Sequence, residues 1–145
     1  MANRFFNQYN LTLDKGIVSI YARVTFKGAS APVLDATNSK GVVSVTRNGT
    51  GIYTFVFGTK NAQGSTLFDT YNRIKYVDAC FNTVAVGAGV LPAAPTFSIT
   101  ADSVNTVNVA SLQITFTTAG GGSATDPAAN EVGLFNFTFS NSNAP

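Results

Sequence analysis

Few side chains in this sequence are equipped for chemistry. Histidine is absent from all 145 residues, which removes Ser-His-Asp and Cys-His nucleophile systems and most zinc sites. Acid–base work by a carboxylate pair requires both groups to converge on a cleft. Only Asp126 and Glu131 are close in sequence, and they belong to a glycine-rich loop, 119–131, that is a poor support for such a pair. The expectation is a chain with no catalytic residues. A calcium site on Asp102, Asp126 or Glu131 would draw oxygen ligands from loops, but no Asp-x-Asp-x-Asp spacing favours it, so neither a metal nor another cofactor is expected. The glycine sets lack the Lys-Ser/Thr of a phosphate loop and precede no helix, so they read as turns.

Arg23, Lys27, Arg47, Arg73 and Lys75 with Tyr21 combine cations with a stacking ring, a combination that suits single-stranded nucleic acid. The density of charge is too low for a dedicated binder, and no nucleic-acid partner is expected. Cys80 is the single cysteine, so an intrachain disulfide is impossible, and its setting in Tyr76-Val-Asp-Ala-Cys-Phe81 predicts a buried, inert thiol. Asn10-Leu-Thr12, Asn48-Gly-Thr50 and Asn136-Phe-Thr138 match the glycosylation pattern by chance in an Asn/Thr-rich chain.

The elements that must position these groups are strands. Val42 to Phe57 reads as two alternating runs around Asn48-Gly-Thr-Gly51, a strong hairpin signal. Because side chains alternate along a strand, Tyr53, Phe55 and Phe57 share one face, and Val43 and Val45 are placed against the same core. Ile17 to Phe26 alternates in the same way, with Val18, Ile20, Ala22, Val24 and Phe26 inward and Tyr21 and Arg23 outward. A loop is expected from Lys27 to Gly41 and a polar loop over residues 58–65. Leu67 to Tyr71 fits either a helical turn or an irregular strand. Ile74 to Val86 has strand composition, and Gly87 to Pro95 reads as a crossover between sheets. Thr96 to Asp102 places Phe97, Ile99 and Ala101 on one face, and a slip of phase between Val109 and Leu112 suggests a bulge. Val132 to Ser140 puts Phe135, Phe137 and Phe139 where they should meet Tyr53, Phe55 and Phe57. No stretch carries a helical repeat of ordinary length. Seven or eight short strands with regular turns predict an all-β fold, an antiparallel β-sandwich or jelly-roll. Residues 17–145 would form one domain. Residues 1–16 would form an extended arm whose Arg4, Phe5, Phe6 and Tyr9, together with Tyr21 and Arg23, are the candidate interface.

Composition bears on partners. Apolar residues make up 45% of the chain, enough for a core, whereas charged residues are only 11%, well under the roughly one quarter of an ordinary soluble domain. Either a second protein covers much of the surface, or the surface is a Thr/Ser/Asn-rich solvated one. All nine basic residues fall at or before Lys75 against three acids there, while residues 76–145 hold four acids and no base. Head-to-tail contacts would gain from that asymmetry if the halves reach different surfaces. Met-Ala-Asn-Arg-Phe-Phe6 opens without the apolar run of a signal peptide, and Val84 to Pro95 is too short and too broken to span a bilayer. The expectation is a chain made and assembled in a cytoplasm, without a membrane partner.

The arm beginning Met-Ala-Asn-Arg-Phe-Phe6, the hairpin Gly41-Val-Val-Ser-Val-Thr-Arg-Asn-Gly-Thr-Gly-Ile-Tyr-Thr-Phe55, and Thr125-Asp-Pro127 with the last strand ending at Asn141-Ser142 resemble small structural proteins of tailed-bacteriophage virions, in particular capsid decoration (cement) proteins. The resemblance covers about half of the chain. It implies several copies, often trimers, on the outside of a capsid in the host cytoplasm, bound to the major capsid protein or another virion protein and holding neighbouring subunits together. It carries over no active-site residues. The alternatives from other classes are a carbohydrate-binding module of a tail fibre or spike and a head–tail connector or tail protein.

Overall fold

The computed structural model describes residues 17–60, 66–68, 73–82, 96–104, 110–118 and 122–140. Nine strands occupy most of them, and there is no helix among the described residues: β1 (Ile17–Lys27), β2 (Ser30–Leu34), β3 (Val42–Gly49), β4 (Ile52–Lys60), β5 (Thr66–Phe68), β6 (Arg73–Asn82), β7 (Thr96–Ser103), β8 (Ser111–Thr117) and β9 (Val132–Ser140). Sheet one has the order β2-β1-β9-β6, and sheet two the order β3-β4-β8-β7, with β5 paired to the far end of β4. Every pairing is antiparallel. The two inner faces close on one core, which makes the fold the expected all-β sandwich.

Aromatic alternation builds that core. Phe135, Phe137 and Phe139 project from β9 as a column of near-parallel rings, with neighbouring centroids 6.0 and 6.3 Å apart. Across the sandwich they meet Phe55 and Phe57 of β4 at 4.8 to 5.2 Å. Tyr53 turns out not to join that column. It packs edge-on against Phe26 of β1 and on Phe116 of β8 at the next level of the core. Each such ring is fully or almost fully buried, a gain of roughly 1.5–3 kcal/mol apiece. β1 keeps the predicted phase, with Ile20, Ala22, Val24 and Phe26 buried and Val18 packed on the core's margin.

Several expectations are corrected. A bulge between Val42 and Ser44 shifts the phase of β3, so Val42 faces Phe57 and is buried while Val43 leaves the core; Val45, opposite Phe55, packs against it. The Lys27–Gly41 loop contains β2, and the polar stretch after residue 57 is strand as far as Lys60. Leu67 lies in a short strand, which settles that ambiguity for residues 66–68. Along β7 only Phe97 of the predicted face packs against the core. Ile99 and Ala101 are exposed, and the ladder slips between them. The phase slip at Val109 falls outside the described residues, as do the crossover at 87–95 and the arm with Arg4, Phe5, Phe6 and Tyr9.

Candidate functional site

Among the described residues the shortest ion pair is at the end of the β3–β4 hairpin. Arg47 stands opposite Tyr53 in the ladder, so both side chains project inward at the rim of the sandwich. Gly51 makes the turn with φ 69°, a conformation glycine adopts without steric cost. An added Cβ there would lie 2.6 Å from the Phe116 carbonyl oxygen and 2.7 Å from the Thr125 nitrogen. That close approach lets the loop after β8 fold over the hairpin and bring Asp126 onto it. Asp126 Oδ1 accepts from Arg47 Nε (2.9 Å), Gly51 N (2.9 Å) and the Tyr53 hydroxyl (2.9 Å), and Oδ2 accepts from Arg47 Nη2 at 2.7 Å.

Such a bidentate, backbone-assisted arrangement favours the ionised carboxylate. The hydrogen bonds from Arg47 hold Asp126 below the usual carboxylate range, helped by Gly51 and Tyr53 and opposed by partial burial. Arg47 is held more firmly protonated by the same bond. Burial, with the Asp126 charge beside it, pushes the Tyr53 phenol well above its ordinary value. With four donors on its two oxygens, Asp126 has little capacity left to take a proton from a substrate. The constellation is a clamp joining β3, β4 and the 122–131 loop.

Glu131 belongs to a second, separate structure. The 128–131 turn, with Asn130 at φ 69°, is tied to β1 by Phe26 N donating to Glu131 O at 2.8 Å and Asn130 N donating to Phe26 O at 2.8 Å. Glu131 is 1% exposed; its Oε2 accepts from Ala128 N at 2.9 Å, and Oε1 is buried without a hydrogen-bond partner among the described residues. Asp126 and Glu131 therefore share no hydrogen-bond partner and serve different turns. No group of three or more potential metal ligands occurs among the described residues. A groove of about 340 Å³ beside Lys40, Gly41 and Val42 contains one charged side chain and no acid–base pair.

Among the described residues, three of the basic side chains have partners of their own. Arg47 is spent on Asp126, Lys27 Nζ donates to Asn130 Oδ1 at 3.1 Å, and Arg23 lies 3.6 Å from Asp35. Hydrogen bonds from Asn38 and Thr37, with Arg23 nearby, lower the Asp35 pKa.

Tyr21 and Arg23, the described members of the candidate interface, do share a surface: the outer face of sheet one. Strand register sets them in rows across it. Tyr21 lies beside Asn136, which lies beside Asp78, and Arg23 lies beside Leu134, which lies beside Cys80. Ser19, Thr138 and Tyr76 form the next row. Among the described residues, five of the six exposed large apolar side chains project from this sheet: Ile17, Tyr21, Val33, Tyr76 and Leu134. Beyond Tyr21 and Arg23, the only trace of this face in the sequence is Leu134 among the outward polar positions of β9, while the outward placement of Tyr76 depends on the bulge in β6. Cys80 corrects the expectation of a buried thiol, since a bulge between Ile74 and Tyr76 puts Val77, Ala79 and Phe81 in the inward phase and Cys80 outside. No family model, curated protein or solved structure matches this chain.

Proposed function

We propose that this chain is a non-enzymatic structural component of a phage virion, a decoration or cement protein that binds the outer capsid surface and other copies of itself. One observation carries the reading: the exposed large apolar side chains are concentrated on the outer face of one sheet rather than scattered. Single exposed apolar residues are ordinary; five on one face, interleaved with Asn136, Asp78 and Arg23, give that face the mixed apolar and polar character of a protein interface. Tyrosine and arginine, the residues that dominate interface energetics, are represented there by Tyr21, Tyr76 and Arg23. The low charge of the chain and the engagement of Arg47 and Asp126 with each other in a clamp support the same reading. The arm residues Arg4, Phe5, Phe6 and Tyr9 offer a second contact, and repetition over many capsid sites would turn modest contacts into strong retention.

The test is co-sedimentation with empty capsids of the source particle. The full chain should saturate at a fixed stoichiometry, and deleting residues 2–12 should abolish binding while the β-domain stays folded. A protein that ignores capsids at every concentration refutes the reading.

A second reading, a carbohydrate-binding module of a tail fibre or spike, is favoured by the row Tyr21, Asn136 and Asp78. An aromatic ring beside an amide and a carboxylate is a set of groups that can hold a sugar. Glycan-array binding lost on Tyr21→Ala would replace the capsid reading with this one.

A further inference from the structure

Asp126 is followed by Pro127, and no other aspartate in the chain precedes a proline. An Asp-Pro peptide bond is open to attack from within, because the side-chain carboxylate can reach its own backbone carbonyl carbon. Proline favours that route twice. Pro127 has no amide N–H, so the competing ring closure, in which the next residue's nitrogen attacks the side chain, is blocked. Its nitrogen also leaves as a secondary amine, which takes up a proton in acid. In this fold both sides of the bond are held. Pro127 is buried. Asp126 has donors on both oxygens, three on Oδ1 and one on Oδ2. To meet the carbonyl carbon, either oxygen must turn away from the Arg47 guanidinium and break the bidentate pair. The Thr125 amide donates to the Phe116 carbonyl at 3.0 Å and fixes the backbone just ahead of the bond against β8.

We propose that the Asp126–Pro127 bond is a latent self-cleavage site, kept closed by the clamp and opened when the clamp's hydrogen bonds are lost. The net reaction is a hydrolysis. A carboxylate oxygen of Asp126 bonds to the Asp126 carbonyl carbon while the bond from that carbon to the Pro127 nitrogen breaks. The nitrogen takes its proton from the acidic solvent and leaves with residues 127–145. Water then opens the cyclic anhydride, which restores the side-chain carboxyl group and leaves a new α-carboxyl group on Asp126. Nothing is oxidised or reduced, and water and solvent protons are the only co-reactants. The cut matters because of the strand it releases. β9 begins at Val132, lies between β1 and β6, and is paired with both. Its Phe135, Phe137 and Phe139 form the stacked column of the core. In the closed sandwich the two ladders hold that strand whether or not the bond ahead of it is intact. A chain cut while open loses its covalent tie to the strand, so unfolding in acid becomes irreversible. The clamp therefore joins three elements and also shields the Asp-Pro bond that its own carboxylate would attack.

Purified full-length protein tests this without any partner. The protein is held at about pH 4, where an ordinary aspartate is about half ionised, with and without urea that unfolds it. Intact-mass spectrometry counts the fragments 1–126 and 127–145, and circular dichroism in the same buffer verifies which samples are folded. The unfolded wild-type chain should be cut at this bond. The folded chain should be cut at least ~10-fold more slowly, about the factor for giving up one charge-assisted hydrogen bond. Asp126→Ala in urea should not be cut there, since the nucleophile is gone. Arg47→Gln removes the bidentate donor and leaves Asp126 in place; it should be cut faster than the wild type while folded and equally fast in urea. Rates are compared at urea concentrations that leave each chain the same fraction unfolded, so lower stability of a variant does not count as an open clamp. Should Arg47→Gln not fold, Tyr53→Phe, which removes one donor from Oδ1, takes its place. A wild-type bond cut as fast in the fold as in urea overturns the proposal, as does a chain that stays whole in urea or an Asp126→Ala chain cut at the wild-type rate. A folded clamp variant as resistant as the wild type also overturns it, and assigns the protection to the fold alone.

Discussion

Replacing Asp126 by alanine should destabilise the fold by about 3 kcal/mol. The substitution removes the acceptor for the Tyr53 hydroxyl and for the Gly51 amide, both in buried residues. A buried donor left without a partner costs about 1–3 kcal/mol, so two of them span about 2–6 kcal/mol. The Tyr53 hydroxyl has a fallback in the Gly28 carbonyl, 3.5 Å away, which places the total in the lower half of that range. Loss of the counter-charge for Arg47 acts in the same direction. Asp126→Asn retains one oxygen as an acceptor and should cost less, about 1–2 kcal/mol. Because the chain has no tryptophan, urea unfolding is followed by far-ultraviolet circular dichroism and tyrosine emission. A 3 kcal/mol loss is a large share of the roughly 5–15 kcal/mol that holds a domain together. It would lower Tm by about 6–12 °C in a chain of this size. The double variant Tyr53→Phe/Asp126→Asn should lose less than the two single losses combined, since the two sites share one bond. An Asp126→Ala protein within about 0.5 kcal/mol of the parent would refute the clamp, because that is the range of an inconsequential surface change.

The same cluster contributes to the pH dependence of stability. The folded Asp126 pKa lies below its unfolded value, so its contribution is complete above about pH 4 and is lost as pH falls through the folded value. Urea titrations from neutral to strongly acid pH should show that slope, and Asp126→Asn should flatten it. Tyr53 is shifted upward; its contribution is complete below about pH 10 and declines as pH rises from there toward the folded value, a decline that Tyr53→Phe should remove. Gly51→Ala must accept both a left-handed φ and backbone atoms inside 3.0 Å, so urea unfolding should show a loss of about 2–4 kcal/mol. The exposed Cys80 thiol should react with a maleimide in the folded protein nearly as fast as in urea, whereas a core thiol would resist until unfolding.

Alternation of apolar and polar residues was sufficient to place β1, β4 and β9, to assign the inward side of each, and to bring Phe55 and Phe57 against the column on β9. These strands are long and half-buried, so a one-residue slip would turn every ring to solvent, and the pattern itself specifies the register. The phase of β3 was not legible. Val42-Val43 offers two adjacent valines, and only pairing with β4 across a bulge decides that Val42 is the buried one. Cys80 was misplaced for the same reason, because the bulge at Ile74 and Tyr76 belongs to the ladder with β9 and not to the local sequence. Nor could spacing reveal the clamp: Arg47 and Asp126 are 79 residues apart, and their encounter depends on Gly51 letting a distant loop approach the hairpin. Local pattern thus determined which residues leave water and the class of fold that follows. Tertiary pairing decided which charges neutralise one another and which apolar side chains remain exposed, because both depend on neighbours that the chain supplies from far along its length.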